Sequence, residues 1–480
     1  MAEDRFTSRW GFILAALGAA IGTGNIWRFP REAAKYGGGA FIVAWIIALF
    51  LWSIPLLMTE FAIGRKTRKS VIGSFAEFLG EKYVWMGAWI VFVSTAINFY
   101  YSVVMGWTIR YFFLSASGGL YKGVNTSSLW YSFISTPYKV IAFHVIAVLL
   151  GWFVVRRGVS KGIELTNKIL LPSLLFLITV AAIWSLTLPN AINGLKYMFI
   201  PRVHMFGNAE MWIHALAQSA WSCSAGMGMA ITYAVYTKKR EDVALNAFIV
   251  GFGNNSASLI AGVAVLCTLF GLSPTIADAY RGIEAGSSGL TFIHLAHLFS
   301  LMPVGALIAA IFFLSMSFAA LTSLISGFEI AICSLMDAGF ERKRAANYIA
   351  LATLLFGLPS AISISVLENQ DAVWSLGLLP SGLFISFIAI KYGASKFRSA
   401  FINTEDSDIF VGKWWDLIIC LLLPAEFFIM FVWFMAEVVK TSPLTFATLV
   451  IQWGTVMFLL VRFRKKLYSI FYSRKEGKKK

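Results

Sequence analysis

Charge is scarce in this chain: 13% of its 480 residues are Asp, Glu, Lys or Arg, whereas 58% are hydrophobic. A water-soluble domain of that composition would expose large apolar patches and aggregate. Cysteine is rarer still. Cys223, Cys267, Cys333 and Cys420 all fall inside long apolar runs, so no loop disulfide is implied. No glycine-rich loop ending in Gly-Lys-Ser/Thr is present to grip a nucleotide phosphate, which speaks against an ATP-driven pump. Histidine offers one suggestive pair, His294 and His297, in H-x-x-H spacing. No acid or third ligand accompanies it in helical register, so a metal enzyme is not expected.

Apolar sequence, by contrast, is abundant. About 20 mostly apolar residues cross a bilayer as a helix, and twelve such runs occur, at 11–33, 39–64, 86–115, 138–156, 163–187, 210–236, 243–271, 302–334, 345–365, 372–394, 415–438 and 443–463. The ninth and tenth are the least cleanly separated. The expected class is an all-α polytopic membrane protein whose large partner is the lipid bilayer. The first run lacks a small-residue cleavage site and reads as an uncleaved span.

Basic residues collect after every second run. They are Arg65, Lys66, Arg68 and Lys69; Arg156, Arg157 and Lys161; Lys238, Lys239 and Arg240; Arg342, Lys343 and Arg344; Lys391, Lys396 and Arg398; and the tail from Arg462. Positive-inside bias puts both termini in the cytoplasm, under a plasma membrane or, in a bacterium, the inner membrane. The net charge of +16 is then a topology signal. Spread over separate loops, it builds no nucleic-acid surface. The basic tail, 466–480, reads as solvated, with anionic lipid as its alternative contact.

Two runs are poor helices. The first holds Gly18, Gly22 and Gly24 followed by Asn25, and the sixth packs Ser222, Cys223, Ser224, Gly226 and Gly228 together at mid-span. Each glycine costs about 1 kcal/mol relative to alanine inside a helix. Close helix packing through the Gly18/Gly22 pair is one reading. A pair of interrupted helices in corresponding positions of an inverted repeat is the other, and it points to a transport site at the centre of the membrane. Freed backbone is tolerated there only where it lines a cavity.

The stretches GFILAALGAAIGTGNIWRFP, GGGAF, EFAIGR, RGVSKGIE, AGMGMAITYAVY and FAALTS resemble the neurotransmitter:sodium symporter family, of the bacterial leucine-transporter fold, over residues 9 to 395. The resemblance implies two inverted five-helix repeats (1–190 and 205–395), broken helices one and six, and two further helices in 412–465. It also implies two sodium sites. The first would use the Ala20 carbonyl, the Asn25 and Asn254 amides and Ser222, completed by a substrate carboxylate. The second would use the carbonyls of Gly18, Ile21 and Ala319 with the hydroxyls of Thr322 and Ser323. For that last pair, bonding back to their own helix is the competing reading.

Family members that carry monoamines have an aspartate where this chain has Gly22. The resemblance therefore implies an amino acid that brings its own carboxylate to the amides near Gly22 and Gly24 and to the Tyr101 hydroxyl. Its side chain would meet Ala19, Thr23, Ile97, Trp221, Ser224, Met227, Ser323 and Gly327, while Ala20 and Ser222 would also count among the substrate-binding residues. Gly327 and the adaptable Met227 enlarge that pocket, while Trp221 takes some volume back, which suits a large hydrophobic or aromatic side chain. Arg28 and Asp371 resemble an outer gate with Tyr100 beside them, and Arg5 with Asp337 an inner one. Gln218, Ser222, Asn254 and Ser258 match the family's chloride site, with Trp45 in place of its tyrosine; a serine rather than an acid at 258 implies that chloride supplies the negative charge. Glu60 reads as support for the broken helices or as an interfacial acid near Arg65. A proton-coupled transporter of the same fold and a non-transporting amino-acid sensor are the alternatives.

Overall fold

A computed structural model describes residues 5–238, 240–302 and 304–472, except the side chain of Ser287. Lys239 and the last eight residues of the basic tail lie outside the described residues. The first apolar run is divided: α1 (Arg9–Ala20) and α2 (Thr23–Lys35) meet at a bend of 50°. Continuous helices follow as α3 (Gly39–Thr67), α4 (Val84–Ala116), α5 (Pro137–Val155) and α6 (Val159–Leu186). The sixth run is also in two pieces, α7 (Ala209–Ser222) and α8 (Met229–Val235). Then come α9 (Val243–Leu272), α10 (Gly305–Asp337), α11 (Arg342–Ile362), α12 (Ile364–Tyr392), α13 (Trp414–Thr441) and α14 (Pro443–Arg462). Among the described residues, ten uninterrupted spans and two divided ones account for the twelve runs.

Local chemistry sets the ends. The Ser8 hydroxyl accepts from the Gly11 amide and starts α1, and the Asp242 carboxylate accepts from the Leu245 amide and starts α9. Glu164, buried at the start of α6, accepts from the amide (2.7 Å) and hydroxyl (2.5 Å) of Thr7, tying the beginning of α1 to the bundle. The two longest helices, α4 and α10, pack along each other through the centre. Around them the other helices close a core in which Trp45, Trp52 and Trp89 are fully enclosed.

Two boundaries differ from the sequence reading. The gap expected at 366–371 is helical, and Ser363 alone separates α11 from α12. An extended backbone at Ser363, with its hydroxyl accepting from the Val366 amide, restarts the helix at once. Asp371 therefore sits on a helix rather than in a loop. The tail begins as a helix, Arg464–Phe471, with Phe471 buried and the Lys69 ammonium 5.1 Å from the Tyr472 ring, so its start is packed rather than solvated.

Candidate functional site

The two breaks face each other. At the end of α1, Ile21 takes an extended conformation and its amide still bonds the Leu17 carbonyl. The next amides leave the helix pattern: Gly22 N–H donates to Asn25 Oδ1 (2.9 Å) and Thr23 N–H to the Tyr101 hydroxyl (3.2 Å). Carbonyls in the last turn of α1 are thereby released, and that of Ala19 accepts from the Ser224 hydroxyl in the second break (2.8 Å). Gly18 and Gly22 also pack closely. A β-carbon on Gly18 would meet Asn167 Oδ1 at 2.1 Å and Thr322 Cβ at 3.2 Å; on Gly22 it would meet Ser323 Oγ at 2.8 Å. These glycines thus sit both in close packing and at the interruption of the helix. Gly24 fronts open space.

The second break turns through left-handed backbone at Ser224 (φ 53°), Gly226 (98°) and Gly228 (76°). Serine is strained there, and glycine at the two other positions removes the same strain. Glu60 of α3, fully enclosed, accepts from the Gly226 amide at 2.7 Å. It supports the break, while Arg65 turns away to the carbonyls of Glu241 and Phe401.

Between the breaks lies a dry polar cluster. Asn25 Nδ2 is 2.7 Å from Asn254 Oδ1, 2.8 Å from Ser258 Oγ and 3.2 Å from Ser222 Oγ. The Asn254 carboxamide also lies 3.0 Å from the Ser222 carbonyl and 3.3 Å from the Ala20 carbonyl, so carbonyls of both breaks and two carboxamides meet at one point, a donor set that suits a hard cation. Of the other residues expected near the ions, Trp45 N–H and Gln218 Oε1 are enclosed without partners among the described residues. At the other candidate ion site, Thr322 bonds back to the Ala319 carbonyl (3.0 Å), so two of the expected ligand groups are paired with each other in this structure.

A profile described as the sodium:neurotransmitter symporter family matches residues 3–132 and 132–473. The chain belongs to this family. A sodium-dependent transporter of Methanocaldococcus jannaschii is 31% identical over 440 residues, 88% of this chain and 89% of that protein. A sodium- and chloride-dependent GABA transporter of Drosophila melanogaster is 28% identical over 409 residues, 75% of this chain but 43% of its own length. The crystal structure of MhsT in complex with L-phenylalanine matches with a TM-score of 0.79 and 29% identity, covering 90% of this chain and 99% of that one. This symporter is therefore a polytopic membrane transporter and not an enzyme.

In the symporter's centre, Gly22, Gly24, Ile97, Tyr101, Trp221, Met227 and Ser323 are only half-buried although they lie mid-bundle, which marks a water-accessible cavity. Thr23 Oγ1 reaches the Tyr101 hydroxyl at 3.2 Å. The space that Gly327 was expected to open is instead occupied: the carboxamide of Asn98 fills it.

Neither gate is a direct ion pair among the described residues. The Arg28 guanidinium stacks 3.9 Å over Trp221, while Asp371 accepts from Ser375, whose hydroxyl lies 3.2 Å from that of Tyr100. At the far end Arg5 is exposed, and Asp337 accepts from the amide and hydroxyl of Ser70. The strong pair there is one the sequence reading missed. Arg342 holds the fully buried Glu329 through two bonds of 2.8 Å, and the Tyr236 hydroxyl adds a third at 2.7 Å. An acid inside the eighth apolar run, five residues from its end, was the available signal; its partner lies beyond a turn.

Proposed function

We propose that the chain takes up a neutral amino acid, large and hydrophobic or aromatic, by sodium symport, with chloride as a required co-ion. The observation that carries this reading is the convergence of the Ala20 and Ser222 carbonyl oxygens with the carboxamides of Asn25 and Asn254 where the two breaks meet. A cation held by those oxygens would share its site with a substrate carboxylate, so each would strengthen the binding of the other. Gly22 stands where monoamine carriers of the family have an aspartate to pair the amine, which supports a zwitterion over a monoamine. The second sodium would lie at Gly18, Ile21, Ala319, Thr322 and Ser323, where the Thr322 hydroxyl gives up the Ala319 carbonyl to the ion. Chloride would lie at Trp45, Gln218, Ser222, Asn254 and Ser258.

Two sodium ions crossing 100 mV contribute about 4.6 kcal/mol, and a tenfold gradient adds about 1.4 kcal/mol for each. The total of about 7 kcal/mol supports roughly 10⁵-fold accumulation of a zwitterion. Inward movement of chloride would remove about 2.3 kcal/mol of it. Residues 1–190 and 205–395 would act as inverted repeats, with the broken helices rocking against the remainder, both termini in the cytoplasm and Arg28 with Asp371 closing the outer side.

The test is uptake of radiolabelled amino acids into proteoliposomes, with sodium or potassium outside and chloride or gluconate as anion. Sodium-dependent uptake of tryptophan or leucine, outcompeting glycine and alanine, is the expected result. Uptake that follows a proton gradient in potassium would replace the reading with proton coupling, and binding without uptake would make the chain a sensor.

A further inference from the structure

One face of α4 touches both breaks and carries a side chain that the site described above does not use. Ser94, Asn98 and Tyr101 are spaced four and three residues apart and so form a stripe. Ser94 Oγ donates to the Met227 carbonyl in the second break (2.8 Å), and the Tyr101 hydroxyl meets Thr23 in the first. Asn98 lies between them. It is 3% exposed, and its Nδ2 is enclosed without an acceptor. Opposite it, on α10, a β-carbon at Gly327 would fall 2.1 Å from Nδ2 and 2.2 Å from Oδ1, so the carboxamide sits in the notch that this glycine leaves. Gly327 is one turn along α10 from Ser323, which borders Gly22.

An enclosed carboxamide without partners is costly inside a membrane-spanning bundle, and a leucine would fill similar volume without that cost. Its position explains what it would gain. Three residues of helix, about 4.5 Å, separate it from Tyr101, where the head group of the substrate is read to bind. A ring extending from a head group bound there would reach the amide, whereas a short aliphatic side chain would fall short of it.

We infer that Asn98 is a specificity-determining residue that hydrogen-bonds a polar atom on an aromatic substrate side chain, selecting tyrosine or tryptophan over phenylalanine and leucine. The inference rests on the amino-acid reading of the same site. Nδ2, enclosed without an acceptor, can donate to a phenolic oxygen, and Oδ1 has the lone pairs to accept from a phenol or an indole N–H.

The experiment is competition binding to the purified full chain in sodium and chloride, comparing tyrosine, tryptophan, phenylalanine and leucine. Tyrosine should compete about three- to tenfold better than phenylalanine, the worth of one net hydrogen bond. Asn98→Leu should bring that ratio to one or below while phenylalanine binding is kept. Gly327→Ala, whose methyl group displaces the amide without removing it, should act in the same direction. Equal binding of tyrosine and phenylalanine by the unmodified chain, which requires no variant to fold, overturns the inference; so does an unchanged ratio in either folded variant. If no amino acid binds in sodium at all, the underlying reading of the site falls with it.

Discussion

Ser258 gives the most demanding test of how charge is balanced at the centre of the bundle. Its hydroxyl lies 2.8 Å from Asn25 Nδ2, and that same nitrogen lies 2.7 Å from Asn254 Oδ1, an oxygen proposed to hold sodium. The Ser258 hydroxyl is therefore no more than about 5.5 Å from that oxygen, and a carboxylate brought to the same place by Ser258→Glu would attract a cation by about 3 kcal/mol at an effective dielectric of about 20. That is roughly 100-fold in sodium affinity. Chloride bound near Trp45 and Gln218 would supply a similar attraction, so the two anions should substitute for each other. The assay is sodium-driven uptake into proteoliposomes with chloride exchanged for gluconate. The unmodified chain should lose most of its uptake in gluconate, and the Ser258→Glu variant should work equally in either anion. Full uptake by the unmodified chain in gluconate refutes the reasoning, because the cation site would then need no added negative charge.

Three further outcomes are expected. Glu60→Leu strips the Gly226 amide of its acceptor, a loss of about 1–3 kcal/mol, and should lower the uptake rate about 5- to 100-fold, with Glu60→Gln closer to the unmodified chain; equal rates for both would remove the support role. Gly18→Ala improves helix propensity by about 1 kcal/mol yet drives a methyl group toward Asn167 and Thr322, so half-saturating sodium should rise in uptake titrations rather than fall. Arg342→Ala leaves Glu329 buried and unpaired, at about 3–5 kcal/mol. Its unfolding temperature, followed by size-exclusion chromatography after heating, should drop further than that of the double variant with Glu329→Leu, and the opposite order would contradict the pairing.

The twelve spans were legible because crossing a bilayer demands a long apolar run, and nothing else in the chain imitates one. Both breaks were legible for a related reason: glycines and small polar residues crowd where helix should be strongest. What stayed hidden depends on which helices become neighbours. Asn98 is one amide in a 33-residue helix, and its importance appears only with Gly327 across from it, more than two hundred residues away in sequence. Arg28 was read as a partner for Asp371, but Trp221, on a different helix, offers its face closer at hand. Ser363 restarts a helix within one residue, and a hydropathy pattern averaged over a window cannot resolve so short an interruption.

The breaks have a consequence for what mutation can change. The groups they release at Ala19, Ala20, Gly22 and Thr23 belong to the peptide backbone, and every codon encodes the same carbonyl and, proline aside, the same amide. A randomised gene library can reshape the walls at Asn98, Met227 and Trp221 freely, yet it leaves those polar groups in every member that still folds. Selection for new cargo in such a library should therefore yield altered side-chain preferences on an unaltered head group.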